Sequence, residues 1–435
     1  MSDEFPPGAD TAGIGSRMLR LRTERGLTQA QVAGTSFTRA YVSSVEGGKR
    51  TPSRRTTAYF ASRLSVDPDD LFFGYEAGRR KKLRQAVADA RTALSRGEIE
   101  RACEAYQQVV READAQGDSE LGYAGRCGLG AAARHQGDPD RALGLFREAE
   151  ELLAAQPLTS RLQAVVGQMG AHFARGEIAQ ALVLAERHLL AAAGTDQDAA
   201  EFALRAASVM PLVERGELKE AGMAADKALE IAPLVKEPEV LAQGYYHINR
   251  ALTAQGRCDQ AEQVLSRALA LYEHLSLRTE VGMCHFALGY LAARSGDLPV
   301  AETSLRLAAS VFTETKSRPR LVNALAELAE VVRQQDRLEE AASLVGKCRV
   351  AAREYQDPEQ AAELDRIDAL IALDQGEEAA CVSLFRSALA GYTDIEAVYE
   401  IAATCRLFGD ALLGWGRVQE AAEVFRQGLT ALERP

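Results

Sequence analysis

The sequence has no apolar run long enough for a membrane helix, and its start, MSDEFPPGAD, is acidic. A membrane helix needs about 18 or more apolar residues, and a secretory signal needs a basic start followed by an apolar core. The seven cysteines are scattered without a C-x-x-C pair, in a chain too long to need disulfide staples. We therefore expect a cytoplasmic protein with reduced thiols and no membrane contact.

Aromatic residues are scarce, at 6% of 435 residues, whereas alanine is abundant. Strands are enriched in β-branched and aromatic residues, while alanine favours closely packed helices. A chain of this length also exceeds the size of a single hydrophobic core. These features predict an all-α protein with more than one structural unit.

Motifs that carry catalysis are absent as well. The sequence contains no H-E-x-x-H, P-loop or G-x-S-x-G, and its six histidines lack the spacing of metal ligands. We therefore expect no enzymatic activity, no cofactor and no metal site.

Charge is distributed unevenly along the chain. Residues 14–64 hold ten arginines or lysines against two glutamates, a net charge of +8, although the whole chain carries −11. Residues 76–435 hold 41 basic and 54 acidic residues, a net charge of −13. A basic module on an acidic body is typical of a phosphate-binding unit attached to something else.

The long acidic part is a repeat. A turn signature of glycine, polar residues and alanine recurs nine times, 40 residues apart except for one step of 39; the seventh copy starts with aspartate, and the eighth ends in cysteine instead of alanine. The copies start at Gly97, Gly137, Gly176, Gly216, Gly256, Gly296, Asp336, Gly376 and Gly416. Glycine ends one helix in the left-handed conformation, and the alanine five residues later lets the next helix pack closely. Each unit is therefore predicted to be a helix hairpin.

This pattern of small residues, alanine and aromatics resembles the tetratricopeptide repeat, with a period of 40 instead of 34. The resemblance covers about residues 79–433 and implies an α-solenoid of about nine hairpins, used for sensing and dimerisation. In that family the first helix of each hairpin faces the ligand. Carried onto this chain, the predicted ligand wall consists of Gln163, Phe173, Met210, Tyr246, Arg250, Met283, Phe286, Tyr290, Asn323 and Arg366.

That wall is mostly apolar and aromatic, which suits a peptide or a mid-sized apolar ligand, although any single residue is equally expected to pack between hairpins instead. Asn323 is expected to bind an extended peptide backbone through its amide. Toward the C-terminus, Arg366 and Arg406 are expected to meet an acidic group of the ligand.

The sequence predicts five short helices in residues 14–74, because residues that cap helices precede several of them. Thr28 and Gln31 form a capping box, Thr38 and Ser53 precede two further helices, and Asp67 with Pro68 starts a fifth. Apolar residues at helical spacing predict one small core: Met18, Leu21, Leu27, Val32, Val42, Val45 and Leu64.

The string GLTQAQVA followed by FTRAYVSSVEGGKRTPS resembles the Cro/repressor, or XRE, class of helix-turn-helix. The turn before the third helix is one residue shorter than usual in that class. The resemblance implies that the third helix enters the major groove of DNA. The DNA-binding residues it implies are Gln29, Thr38, Arg39, Ala40, Tyr41, Ser43, Ser44, Lys49, Arg50 and Arg54.

Within that set, Arg39 and Ser44 are the expected base readers, since arginine binds guanine O6 and N7 together. Gln29, Lys49, Arg50 and Arg54 are the expected phosphate contacts, although solvated surface is the plain alternative for the serines and the loop. The resemblance implies a structural ion pair between Arg22 and Glu46. Residues 1–13 are expected to be disordered and residues 75–78 to be a linker.

A basic cluster at Arg79, Arg80, Lys81, Lys82 and Arg84 follows that linker. We expect it either to extend the phosphate footprint or to be a solvated helix start.

A helix-turn-helix joined to such repeats resembles the RRNPP-type quorum-sensing regulators and actinobacterial regulators of similar build. This resemblance implies a homodimer on an inverted-repeat operator, controlled by a signalling peptide or small molecule. Two alternatives remain: the repeats bind a protein partner, so that the head only localises an adaptor on DNA, or they serve purely as a dimerisation scaffold.

Overall fold

The structure, a computed structural model, describes residues 5, 9–75, 78–195, 197–352 and 357–433. Within these ranges the chain contains twenty-three α-helices and no strand. It divides into an N-terminal unit, residues 1–255, and a C-terminal unit, residues 256–435. The all-α fold predicted from the composition is confirmed.

Five short helices form the head, residues 14–74: α1 Ile14–Glu24, α2 Gln29–Ala33, α3 Arg39–Glu46, α4 Arg54–Leu64 and α5 Pro68–Phe73. The predicted caps are confirmed. Thr28 and Gln31 form the capping box of α2, and the Thr38 and Ser53 side chains accept backbone N–H groups of α3 and α4. Every predicted core residue of the head is buried except Leu27, which packs partly buried against the same cluster.

Nine longer helices complete the N-terminal unit. They are α6 Arg79–Ser95, α7 Ile99–Gln116, α8 Ser119–His135, α9 Pro139–Leu152, α10 Leu158–Ala174, α11 Ile178–Ala192, α12 Asp198–Glu214, α13 Leu218–Ile231 and α14 Pro238–Ala254. Consecutive helices pack together, and α6, α8, α10, α12 and α14 also pack each against the next of this set. The first helices of the hairpins therefore line one side of the array.

The C-terminal unit repeats this pattern. Its helices are α15 Cys258–His274, α16 Arg278–Arg294, α17 Leu298–Glu314, α18 Arg318–Gln334, α19 Leu338–Ala352, α20 Pro358–Asp374, α21 Glu378–Asp394, α22 Val398–Gly414 and α23 Val418–Leu432. Here α16, α18 and α20 again contact one another in turn.

The turn signature works as predicted. The eight turn glycines all have φ between +73° and +82°, and Asp336 takes the same left-handed region at +63°. The alanine that follows each turn by five residues is fully buried wherever it occurs, for example Ala102 and Ala301. Close packing explains the other small residues: a Cβ on Gly130 would lie 2.8 Å from the Phe146 ring. The repeat is therefore a stack of closely packed hairpins.

Two predicted boundaries need correction. Residues 1–4, 6–8, 76 and 77 lie outside the described residues. In the segment expected to be disordered, however, the Phe5 ring packs edge-on against Phe72 at 5.8 Å, and Asp10 accepts a hydrogen bond from Arg17 at 2.7 Å. The expected linker is also fixed at its described ends, since Tyr75 is buried and the Gly78 N–H donates to a carboxylate of the head.

Candidate nucleic-acid interface

The start of α3 presents an exposed polar surface. Thr38 caps the helix, its hydroxyl accepting the Tyr41 N–H at 3.1 Å, and this fixes the first turn. Arg39, Ala40 and Ser43 are exposed, and Ser44 is half-buried. Val42 and Val45 on the opposite face are buried in the head core. The amphipathic pattern of α3 therefore directs the predicted base readers outward.

Tyr41 has a different role from the one predicted. Its ring is half-buried and stacks on Phe37, with 5.2 Å between ring centroids and 23° between planes. Phe37 in turn packs on Tyr59 and Phe60 of α4. Because it is held in this aromatic cluster, Tyr41 supports α3 from beside the exposed face.

The shortened turn between α2 and α3 is fastened to α4. The Tyr59 hydroxyl donates to the carbonyl of Ala33 at 3.0 Å, and the Arg63 guanidinium donates to the carbonyl of Gln31 at 2.7 Å. Gly34 takes φ +59°, and a Cβ there would lie 2.3 Å from the Tyr59 hydroxyl. These contacts replace the geometry of the usual turn. Sequence reasoning missed them because α4 lies about 25 residues downstream.

The predicted phosphate contacts divide into two groups. Lys49 and Arg50 are exposed after α3, and the Arg50 guanidinium lies over the Tyr41 ring at 5.4 Å. Arg54 is half-buried at the first position of α4. The amide of Gln29, however, donates to Glu46 at 2.9 Å, so this side chain is already engaged and its assignment as a phosphate contact needs correction.

The ion pair expected between Arg22 and Glu46 is confirmed. Two nitrogens of the guanidinium donate to the two carboxylate oxygens, at 2.6 and 3.0 Å. Hydrogen bonding to Glu46, opposed by desolvation, raises the pKa of Arg22 above its usual value. This bidentate pair joins α1 to the end of α3 and so fixes the recognition helix from the other side.

In the N-terminal unit, the predicted ligand wall is a mixture of exposed and half-buried side chains. Gln163 on α10 and Arg250 on α14 are exposed, whereas Phe173, Met210 and Tyr246 are half-buried. An ion pair between Arg91 and Glu239 joins α6 to α14, the first and the last of the hairpins' first helices in this unit.

In the C-terminal unit, several predicted wall residues already have protein partners. Met283 and Phe286 of α16 pack against the cluster around Phe312 and Ala324. Tyr290 is half-buried on the same helix, with the Arg294 guanidinium 5.9 Å from its ring centroid. Asn323 is exposed, and its carbonyl oxygen accepts the Gln360 amide at 2.6 Å.

The expectation that Arg366 awaits an acidic ligand needs correction. Its guanidinium contacts Glu363 at 2.5 Å and Glu400 at 2.7 Å. Glu327 lies in the same cluster, and burial together with the charges of Glu363 and Glu330 raises its pKa to about 7, against the opposing effect of Arg366. Carboxylates therefore outnumber the arginine at this end of the wall.

Two grooves lie in the C-terminal unit, and the larger one adjoins the cluster that holds Met283 and Phe286. One, of about 680 Å³, is lined by residues of α17, α18 and α19 that include Leu321, Leu325 and Val350. The other, of about 460 Å³, lies among α21, α22 and α23. Neither groove is lined by a residue of the predicted wall.

Within the part of the chain that the structure describes, no helix is long and apolar enough to cross a membrane, and no group of three or more His, Cys, Asp or Glu residues is placed to hold a metal ion.

Solved structures resemble the chain in fold. The apo quorum sensor NprR from B. thuringiensis has a TM-score of 0.54 at 14% identity, covering 81% of this chain and 99% of that one. A Rap protein complexed with competence and sporulation factor has the same TM-score and identity, covering 81% and 98%. A signal transduction ATPase from Pyrococcus horikoshii with a tetratricopeptide repeat sensor has a TM-score of 0.52 at 14% identity, covering 87% and 63%. These likenesses show the shared tetratricopeptide-like fold.

The head has relatives in sequence. Residues 14–71 match the family described as a helix-turn-helix domain. The HTH-type transcriptional regulator y4dJ of Sinorhizobium fredii is 42% identical over 59 residues, which are 13% of this chain and 77% of that regulator. This relative shows that the chain belongs to the helix-turn-helix-type transcriptional regulators, and tetratricopeptide-like repeats follow its head.

Proposed function

We propose that this protein binds a specific DNA operator through its head and that a peptide or small ligand bound by the repeats controls this binding. The observation that carries the proposal is the start of α3. Arg39 is exposed there and makes no ion pair or side-chain hydrogen bond with any described residue. Lys49 and Arg50 follow in the adjoining loop. There they can hold phosphates while Arg39 reads a base.

Selection from a randomised DNA library with the full chain tests the first half of this proposal. We expect enrichment of an inverted repeat, because one such head contacts few base pairs and two symmetric copies double the readout. The same selection with Arg39→Ala should lose one conserved position in each half-site. If the wild-type chain enriches no sequence, the proposal that it binds a specific operator is wrong.

The second half of the proposal, control by a ligand, rests on the first helices of the repeats. The related folds include one named as a quorum sensor and one solved with competence and sporulation factor. In the C-terminal unit, the predicted wall includes the half-buried aromatic ring of Tyr290 on α16 and the exposed amide of Asn323 on α18. Such a mixture suits a peptide, whose side chains need apolar contacts and whose backbone needs hydrogen bonds.

Native mass spectrometry of the protein purified from its own cells tests this control. We expect a bound species that raises the melting temperature of the stripped protein when it is added back. Its addition should change affinity for the selected operator by about fivefold or more, as a typical coupling between sites does. If the species stabilises the protein without changing its DNA affinity, the repeats act as a scaffold and the proposed sensor role is wrong.

A further inference from the structure

The head and the first two repeat hairpins share one hydrophobic core. Helix α5 contributes three buried side chains to it, and Tyr75, two residues after the end of the helix, contributes a fourth. The cluster joins Leu71, Phe72, Phe73 and Tyr75 of the head side to Leu83, Val109, Ala113 and Leu121 of α6, α7 and α8. Burial of aromatic and aliphatic surface on both sides opposes separation of the head from the repeats.

A buried arginine lies at the centre of this junction. The side chain of Arg80 is 1% exposed, and its guanidinium lies 3.9 Å from the centroid of the Phe73 ring. It donates to both carboxylate oxygens of Asp118, at 2.6 and 3.1 Å. It also donates to Asp69 at 2.5 Å and to Glu120 at 2.9 Å. All three nitrogens of one guanidinium are thereby engaged.

The partners of Arg80 belong to different elements. Asp69 lies in α5 of the head, whereas Asp118 caps the start of α8 and Glu120 lies in its first turn. One planar guanidinium therefore ties the last helix of the head to the first helix of the second hairpin. Because a bidentate pair is directional, rotation of the head about this point breaks several hydrogen bonds together.

The surrounding contacts restrict the same rotation. Both carboxylate oxygens of Asp70 lie 3.1 Å from the Gly78 nitrogen, which donates to them just before α6 begins. Arg84 contacts Asp69 at 2.8 Å, and Arg79 pairs with Glu112 of α7. Arg80 and Arg84 thus bind a carboxylate of the head, whereas Arg79 is paired within the first hairpin. Both sequence interpretations of the cluster, phosphate footprint and solvated helix start, are wrong for the buried Arg80, while Arg84 is exposed as a solvated helix start predicts.

We infer that Arg80 is a positioning residue that holds the head on the repeats in one orientation and thereby sets the half-site spacing that a pair of chains accepts on DNA. The inference rests on the proposed operator binding. Two heads on flexible linkers adjust to different spacings, whereas two heads fixed to their repeats reach half-sites only at one separation and on one face of the duplex. The described partners of the Arg80 side chain are Phe73, Asp69, Asp118 and Glu120, and none of them belongs to α3, so we expect a change at Arg80 to leave the base readers in place.

Binding to a series of duplexes tests this role. Each duplex carries two selected half-sites in inverted orientation with the spacer changed one base pair at a time, and a further duplex carries a single half-site. For the wild-type chain we expect affinity to fall about tenfold or more when the spacer changes by roughly half a helical turn, about 5 base pairs. Arg80→Met and Asp69→Asn should reduce this dependence to within about threefold and leave single half-site affinity unchanged.

Arg126→Met is the matched control. Arg126 lies on α8 and pairs with Asp114 at 2.9 Å and Glu148 at 3.2 Å, both of them residues of the repeats. Its removal breaks a comparable ion-pair cluster without touching the head, so the spacing profile should match that of the wild type. Asp69→Asn changes only the head side of the junction, and it decides the question if Arg80→Met does not fold.

The outcomes separate this role from the proposed function. A wild-type spacing profile in the folded Arg80→Met or Asp69→Asn variant would overturn the positioning role. Wild-type binding that is tight but independent of spacing would overturn it also, while leaving operator binding intact. Failure of the wild-type chain to bind any duplex would remove operator binding itself.

Discussion

At the scale of single residues, Arg39 carries the most specific expectation. It is exposed at the first position of α3, where its guanidinium can reach two acceptors of a guanine. Arg39→Ala should cost roughly 1–3 kcal/mol at the selected operator and relax the choice of base at one position. Fluorescence anisotropy titrations with operator and scrambled duplexes measure both effects.

Lys49→Ala serves as the comparison for Arg39→Ala. A contact to phosphate carries no sequence information, so this variant should weaken binding to both duplexes alike and lower the slope of log affinity against log salt by about one. Equal losses on operator and scrambled DNA for both variants would show that α3 does not read bases.

Glu327 in α18 is expected to make stability depend on pH. Its pKa of about 7 in the folded protein lies above the ordinary value of 4.5, because burial and the charges of Glu363 and Glu330 disfavour the carboxylate. The folded state therefore holds this proton more tightly, and the stability that the proton contributes is lost as pH rises from about 4.5 through 7. Glu327→Gln should remove that loss.

Thermal melts at pH 5 and pH 8 test this. The free energy of unfolding of Glu327→Gln, taken relative to that of the wild type, should be about 1–3 kcal/mol higher at pH 8 than at pH 5. The variant should therefore have the higher relative melting temperature at pH 8. Glu339→Gln, on the exposed face of α19, is the control and should show no such trend. If the stability difference between Glu327→Gln and the wild type is the same at pH 5 and pH 8, the pKa of Glu327 lies near its ordinary value.

Residue roles were predictable from the sequence where the partner lies nearby or the family motif includes it. Thr28, Thr38 and Ser53 cap helices within three residues, and the Arg22 to Glu46 pair follows the family motif. Partners brought together only by packing escaped prediction. Examples are Gln29 with Glu46, Phe37 with Tyr59, and Arg366 with Glu400.

At the scale of elements, the turn between α2 and α3 fixes the orientation of α3. Phe37 packs on Tyr41, Tyr59 and Phe60, so its removal leaves a cavity under the start of α3. Phe37→Ala should cost about 2–4 kcal/mol of stability and also reduce the ratio of operator to scrambled affinity. Phe37→Leu, which fills most of the space, should retain most of both.

Circular dichroism melts and anisotropy on the same Phe37 variants separate the two effects. If Phe37→Ala is destabilised yet discriminates between the duplexes as the wild type does at a temperature where it is folded, the turn is only structural.

Helix α16 provides a test of the predicted ligand wall. Phe286 packs into two clusters of the C-terminal unit, whereas Tyr290, one turn later, has a half-buried ring beside Arg294. A charge placed at Phe286 is buried among apolar side chains, so Phe286→Glu should lower the melting temperature by several degrees. Tyr290→Glu should be tolerated better and should abolish the response to the co-purified species.

Strong destabilisation by Tyr290→Glu would place that ring in the packing between hairpins and remove it from the wall. The comparison requires both variants in one melting experiment, since the two substitutions introduce the same charge on the same helix.

The hairpins were predictable because each uses the same local chemistry, a left-handed turn followed by a fully buried alanine or, in one copy, cysteine, repeated in register. The junction of the head with the repeats was not predictable. Its basic residues resemble a solvated helix start in sequence, and only folding brings Asp118 and Glu120 of α8 beside Arg80.

At the scale of the whole molecule, a head with a net charge of +8 in residues 14–64 belongs to a chain with a net charge of −11. The excess of acidic residues in the repeats repels DNA, so attraction to phosphate is confined to the head.

Footprinting of the full chain on its selected operator tests the claim that the head binds DNA specifically. We expect two protected half-sites whose centres lie about 10 base pairs or a multiple of that apart on one face of the duplex. Arg39→Ala should lose this protection at concentrations where the wild type is saturated. Protection that covers any sequence evenly, or that persists unchanged in Arg39→Ala, would contradict the claim.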